Sequence, residues 1–328
     1  MNFLRNRNIA DNARLRTGVV CAVVVCFAAG QGIAKNAVGF VDSTHRAITA
    51  GFNNPILWFD SFFNDEKYIE EVKPHSLLLI QNSFVFSEGG NFVSEFRAFA
   101  DVNLPKATDK LKITFLGAGR NNLQKEFPDE DIQPDIVKKE EERSFYVGAR
   151  YLLVDMIRTK INLSGGVKMK IPPYAYSRIR FRQKFPELYT VNSRFLYTAL
   201  WHDREGFKYS PKLEFDRLFS NNILLRLSGL AATGDRIDGT IWESDIYLYF
   251  MSRRRSAISV TAKVYGESKP AINTTLARVG VGFRRNFFRE WFFYEVAPEI
   301  QWPRDELGGR KAVPAVVLKL QMRFETAG

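Results

Sequence analysis

Cysteine is nearly absent from this 328-residue chain: there are two, Cys21 and Cys26, both inside one apolar run near the N-terminus. Everything after residue 34 therefore lacks thiols, which excludes disulfides, a thiolate nucleophile and a cysteine-ligated metal there. Histidine is almost as scarce, with His45, His75 and His202 as the whole complement. Such scattered ligands give no metal cluster, and no cofactor is expected. Beyond residue 29 no stretch of 18 apolar residues occurs, so that part of the chain is expected to form no transmembrane helix. The glycine-rich GxGxxG turn, the P-loop and the HExxH helix are also missing.

What is present begins with a targeting pattern. Arg5, Arg7, Arg14 and Arg16 precede the apolar core Gly18–Ala29, and the small residues after it offer a cleavage site at Gly32-Ile33-Ala34. Twelve apolar residues are too few to span a bilayer, so residues 1–34 are expected to be a cleaved signal peptide rather than an anchor. The formal charge is +11 for the whole chain and +8 without those residues, which contain four Arg and one Asp. A basic chain invites a nucleic-acid reading. Here the basic residues are spread along strand patterns instead of being gathered in a run, and no nucleic-acid partner is expected.

Residues 35–73 stand apart. Val38, Val41, His45 and Ile48 fall near one helical face, and Pro55 opens a second apolar segment, ILWFDSFF. One or two short helices are expected here. They either cap or plug the mouth of the domain downstream, lie on a membrane surface, or simply pack as a lead-in.

From residue 74 to 328 the period is two. On the last segment Val316, Leu318, Leu320, Met322 and Phe324 alternate with Val317, Lys319, Gln321, Arg323 and Glu325. The segment before it sets Tyr294, Val296, Pro298, Ile300 and Trp302 against Glu295, Ala297, Glu299 and Gln301. A soluble sandwich would bury the apolar face, whereas a membrane barrel turns it to lipid. Repetition favours the barrel. Fourteen such segments can be read, near 75–87, 91–104, 109–118, 143–155, 158–172, 174–185, 188–202, 206–218, 221–233, 240–252, 255–267, 272–285, 290–303 and 311–326. Many are longer than the five or six residues usual in soluble sheets. The fold class expected is all-β, an antiparallel transmembrane barrel of about fourteen strands, with twelve as the alternative.

Loops and aromatics point the same way. Connections after even strands read as tight turns, among them Pro105–Asp109, Met156–Arg158, Pro186–Glu187 and Ser220–Asn222. Several after odd strands read as longer loops: the acidic Gly119–Glu142 above all, and also Gly234–Gly239 and Arg304–Gly309. Tyr294 and Trp302 lie eight residues apart on one face, as do Trp242 and Phe250. At about 3.3 Å per residue and roughly 40° of tilt that spacing rises about 20 Å, near the height of an outer-membrane apolar band. Trp201, Trp242, Tyr294 and Trp302 are therefore expected in aromatic girdles.

On these residues the chain resembles the proteobacterial outer-membrane β-barrel class, and within it the monomeric porin-like members. The ending Leu320, Met322, Phe324 resembles the C-terminal signal read by the barrel assembly machinery, with the difference that four residues follow the Phe. The resemblance implies residence in the outer membrane of a Gram-negative bacterium, with outer-membrane lipid, lipopolysaccharide and that machinery as partners. It implies even-strand turns on the periplasmic side, and it carries over no functional residue.

Function is sought among the residues expected to face inward. Lys168, Lys170, Arg178, Arg180, Arg182 and Arg194 gather on strands five to seven, with Glu295 and Glu299 across the barrel. Three arginines at a spacing of about 6.6 Å form one basic ladder. The alternatives are a water-filled lumen that prefers small anionic solutes, or a filled interior of paired charges. The leading expectation is a passive porin-like channel. A structural or partner-holding barrel is the runner-up, and a lipid-modifying enzyme comes third. Of the three His only His202 falls on a strand, and Thr198, four positions before it on the same face, is too far to be activated. The chain is not expected to be an enzyme.

Overall fold

The computed structural model describes residues 55–63, 76–88, 91–103, 110–117, 145–169, 172–253, 255–305 and 308–326. The expected signal peptide, the helical pattern at Val38–Ala50, the turn Pro105–Asp109, the acidic loop Gly119–Glu142 and Lys170 lie outside the described residues.

Fourteen strands form one closed antiparallel barrel in simple meander order. They are β1 (Ser76–Ser87), β2 (Asn91–Asn103), β3 (Leu111–Gly117), β4 (Phe145–Asp155), β5 (Thr159–Lys168), β6 (Tyr174–Lys184) and β7 (Val191–His202). The second half comprises β8 (Gly206–Ser220), β9 (Ile223–Gly234), β10 (Ile237–Arg253), β11 (Ser256–Glu267), β12 (Asn273–Asn286), β13 (Phe292–Pro303) and β14 (Val313–Thr326). β14 closes the ring on β1 in an unbroken register from Ser76↔Thr326 to Ser87↔Ala315. Closure removes both sheet edges, so each strand has a backbone hydrogen-bonding partner on either side.

The face assignments follow the alternation in the sequence. Gln81, Ser83, Arg97, Asp101, Ser164, Glu214, Asp216, Gln301, Lys319, Gln321 and Arg323 are buried. Residues at the alternate positions of the strands, among them Leu163, Ile179, Leu213, Phe215, Leu227, Ile246, Val260, Val279, Phe283 and Ile300, are exposed. Polar residues inside and large apolar residues outside invert the order of a soluble protein, and they match a lipid-facing belt around a polar interior.

Three segments differ from the sequence reading. Gly234–Gly239 is not a longer loop: β9 runs to Gly234 and β10 starts at Ile237, leaving only Asp235 and Arg236 between them. The surplus is absorbed as a register shift between Ile237 and Ile241, around Gly239 at φ 82°. A β-bulge with a left-handed glycine extends the hairpin at little cost. β5 ends at Lys168, short of the two prolines Pro172-Pro173, which cannot donate to a ladder. The connection expected at Pro186–Glu187 spans 185–190, and Tyr189 and Thr190 take positive φ.

Among the described residues one helix, α1 (Pro55–Phe62), lies inside the barrel. Proline at its first position needs no hydrogen-bonding partner there. Eight residues are too few for a helix to hold in water on propensity alone, so packing must supply the stability. Trp58, Phe59 and Phe62, with Phe63 just beyond, are buried among inward residues Leu224, Tyr249, Ala257 and Phe293. Full burial of such side chains is worth roughly 1.5–3 kcal/mol each.

The lipid-facing assignment yields a prediction. Ile246 is 49% exposed in the middle of β10, between Leu227 and Ala262. Ile246→Arg should destabilise the barrel by about 2–4 kcal/mol in equilibrium refolding from urea into lipid vesicles. A change within ±0.5 kcal/mol would mean that this face is not in hydrocarbon.

Candidate functional site

The interior of the barrel holds two different walls and a helix docked on one of them. On β5–β7 every charged residue is basic: Lys160, Lys168, Arg178, Arg180, Arg182, Lys184 and Arg194, with no Asp or Glu on the three strands. Arg178, Arg180, Arg182 and Arg194 all point inward and are buried. The cross-strand neighbours of the ladder carry no carboxylate. Arg178 faces Ser164 and Leu200, Arg180 faces Asn162 and Thr198, and Arg182 faces Lys160 and Leu196. Arg178 Nη2 donates to Ser164 Oγ at 3.3 Å. Among the described residues, carboxylates are seen at the margins of this wall. Arg194 and Lys212 both meet Glu214 on β8, Lys212 at 2.7 Å, and Lys160 lies 3.6 Å from Asp155 on β4.

At the odd-strand-loop end of the same wall Lys168 sits 5.4 Å from the Tyr146 ring centroid and 5.1 Å from that of Tyr174. His202 packs edge-on against Tyr174 with centroids 4.5 Å apart, and its Nδ1 lies 3.8 Å from Asp203. His202 is thus a packed mouth residue. Thr198 faces inward on the same strand and is also buried. Among the described residues no group of three His, Cys, Asp or Glu could hold a metal ion.

The wall of β10–β14 mixes both signs and pairs them locally. Lys263 lies 3.9 Å from Asp245, and Arg278 lies 4.0 Å from Glu299. Glu295 accepts from Lys319 at 3.2 Å and from Arg284 at 3.3 Å. Arg323 reaches Glu325 at 3.4 Å. Adjacent opposite charges cancel beyond a few ångströms, so this wall adds little to the long-range field of the lumen.

It is this balanced wall, with β8 and β9, that holds α1. Arg226 on β9 pairs with Asp60 of the helix and also with Asp216 of β8, at 2.8 Å. Arg284 Nε donates to the Phe62 carbonyl at 2.8 Å. Arg323 donates to the Ser61 carbonyl and, at 3.0 Å, to Ser61 Oγ. The last carbonyls of a helix have no partner within it and carry partial negative charge, so two guanidinium groups at that end satisfy both needs. Phe63 and Phe62 add ring contacts to Tyr249 and Phe293, at 4.4 and 5.8 Å. Tyr249, Phe293, Arg284 and Arg323 all lie toward the rim of the even-strand turns, so α1 sits near that mouth.

The remaining sequence candidates divide between the two faces of the barrel. Glu295 and Glu299 point inward but belong to the paired wall rather than facing the arginine ladder. Trp201, Trp242, Tyr294 and Trp302 alternate with inward neighbours and point outward; Trp201, Trp242 and Trp302 lie near one rim, Tyr294 near the other. Leu320, Met322 and Phe324 point outward along the closing seam, opposite Asn82, Ile80 and Leu78, and Phe324 packs on Trp291 at 5.0 Å. The anchoring role of Arg226, Arg284 and Arg323 was not legible as such. The single acid in ILWFDSFF, Asp60, was the available signal, because a carboxylate in so apolar a segment needs a buried cation.

Removing that acid tests the docking. Loss of one partner of a buried ion pair costs about 3–5 kcal/mol, and Arg226 keeps Asp216. Asp60→Ala should therefore speed amide exchange in residues 55–63 on the order of a hundred-fold while the strand amides keep their protection. Unchanged exchange in the helix would show that aromatic packing alone holds it.

No family model matches the chain, and no curated protein matches it in sequence. Solved structures do match in shape. The CymD monoaromatic hydrocarbon channel aligns at a TM-score of 0.50 with 6% identity, over 82% of this chain and 93% of that one. The outer membrane channel DcaP of Acinetobacter baumannii aligns at 0.45 with 7% identity, over 76% and 96%. At an identity this low the match to CymD speaks for architecture alone, a closed antiparallel β-barrel of the kind found in outer-membrane channels.

Proposed function

We propose that this chain is exported by the signal peptide at residues 1–34, inserted in the outer membrane through the Leu320, Met322 and Phe324 signal, and anchored between aromatic girdles formed by Trp201, Trp242, Tyr294 and Trp302. There it acts as a passive porin-like channel for small hydrophilic solutes, with a preference for anions. The observation that carries the preference is that β5–β7 contribute basic residues and no Asp or Glu of their own, with Arg178, Arg180 and Arg182 at alternate inward positions. Fixed positive charge along one side of a narrow aqueous path raises the local concentration of anions and lowers that of cations. Guanidinium groups also suit carboxylate and phosphate geometry. The residues of α1 narrow the periplasmic half of the path from the opposite wall.

One observation favours the second reading, a barrel that holds a partner or serves structure without free conduction. α1 is locked in the lumen by three arginines and four buried aromatic residues.

Planar-bilayer recording separates the two. The full chain should give discrete conductance steps with a higher permeability for chloride than for potassium. Replacing Arg178, Arg180 and Arg182 together with Gln should lower that ratio roughly five-fold, the factor that about 1 kcal/mol of lost Coulomb attraction gives. Asp60→Ala should raise the conductance. A purified barrel that never conducts, even without residues 35–73, would decide for the second reading.

A further inference from the structure

Two strands end at the even-turn rim on the same outward pattern. β8 carries Phe215-Asp216-Arg217-Leu218-Phe219, and β12 carries Phe283-Arg284-Arg285-Asn286-Phe287. In both, the alternation turns a phenylalanine, an arginine and a second phenylalanine to the outside of the barrel, where all of them are exposed. The charged residues between them point inward and are neutralised there, Asp216 by Arg226 and Arg284 by Glu295. β6 repeats the frame as Phe181-Arg182-Gln183-Lys184-Phe185 with a neutral centre, and Gln183 accepts from Thr159 at 2.7 Å.

Among the described residues Arg217 and Arg285 have no anionic partner. Arg217 stands across from Val191 and Leu225, and Arg285 from Ser256 and Tyr294, so no carboxylate adjoins either one across the strands. Their surroundings are aromatic instead. The Arg217 guanidinium lies 5.0 Å from the Phe219 ring centroid. Tyr294, opposite Arg285, contacts Phe283 and Phe287 at centroid distances of 6.2 and 6.0 Å. An arginine facing lipid is costly at mid-membrane and tolerated near the interface. Arg217 lies three residues and Arg285 one residue from the end of its strand. At about 3.3 Å per residue and roughly 40° of tilt, both fall within about 8 Å of the strand ends, at headgroup level. There the deeper phenylalanine of each pair reaches acyl chains, while the guanidinium fork meets a phosphodiester bidentately. A zwitterionic headgroup brings an ammonium that offsets part of this attraction, and a net anionic one does not. In the proposed orientation these turns face the periplasm, which makes the lipid a glycerophospholipid of the inner leaflet.

We infer that the two Phe-x-Arg-x-Phe motifs are binding sites for anionic glycerophospholipid, held by its phosphodiester on Arg217 and Arg285. The inference rests on the membrane reading of the outer face and is independent of conduction. Its test is quenching of tryptophan fluorescence by dibrominated lipids in the full chain folded into phosphatidylcholine vesicles. Trp291 packs on Phe324 beside the β12–β13 turn, and comparison with Trp291→Phe isolates its signal. Dibrominated phosphatidylglycerol should occupy the site beside Trp291 about five-fold more tightly than dibrominated phosphatidylcholine, the factor for about 1 kcal/mol per arginine at a lipid surface. Arg285→Gln should bring the ratio to about one. Raising the salt to about 1 M should do the same in the unaltered protein, an arm that needs no variant to fold. Equal affinities for the two lipids in the unaltered protein would overturn the inference, as would a preference that survives Arg285→Gln. A preference that millimolar inorganic phosphate removes at constant ionic strength would overturn it too, by making the ligand a free anion. Quenching by neither lipid would sink the membrane reading of this rim as well, whereas equal quenching by both sinks the lipid sites alone.

Discussion

The constraint on which everything else depends is backbone hydrogen bonding in hydrocarbon. A peptide group left unpaired in lipid costs several kcal/mol, so strands can cross only as a closed ring. The β1–β14 seam supplies that closure in continuous register over twelve residue pairs. Once the ring is closed each side chain points either to lipid or to the lumen, and position along the strand decides which. A slip of one residue on β6 would turn Arg178, Arg180 and Arg182 into the membrane and bring Ile179 and Phe181 inside. The charged interior and the apolar exterior are thus two consequences of one pairing pattern.

The interior is organised by charge. β5–β7 concentrate positive charge along one side, and β10–β14 neutralise theirs pair by pair. The docked helix uses the second kind of wall. Asp60 and the C-terminal carbonyls of α1 are weak or single negative groups, and they meet single arginines already partnered elsewhere: Arg226 with Asp216, and Arg284 with Glu295. Such a site holds a short helix without making the lumen acidic.

Much of this was legible in the sequence, for a physical reason. Period-two alternation survives in strands that face lipid on one side and water or paired charge on the other, and β14 reads correctly from Val316 to Glu325 because nothing local competes with that pattern. The count of fourteen strands and the inward set on β5–β7 come from the same signal. Hairpin ends were less legible. At 234–239 a glycine pair reads as a loop, but the residues extend a hairpin through a bulge, since glycine signals backbone freedom and not the end of a strand. The helix was readable as a helix, but its address was not. Docking of α1 depends on Arg226, Arg284 and Arg323, more than 160 residues away, and no local pattern encodes such pairings.

The central claim is a water-accessible lumen with a cationic β5–β7 wall. Because the only two cysteines lie at Cys21 and Cys26, a single thiol at Asn162, opposite Arg180, reports that wall without background in the barrel. The most direct measurement is the rate at which Asn162→Cys, in vesicle-embedded protein, reacts with a sulfonate-bearing and with an ammonium-bearing methanethiosulfonate. Both reagents should arrive, and the anionic one should react faster, with the difference shrinking at high salt. A thiol that neither reagent reaches, or that the cationic reagent modifies faster, would contradict the claim.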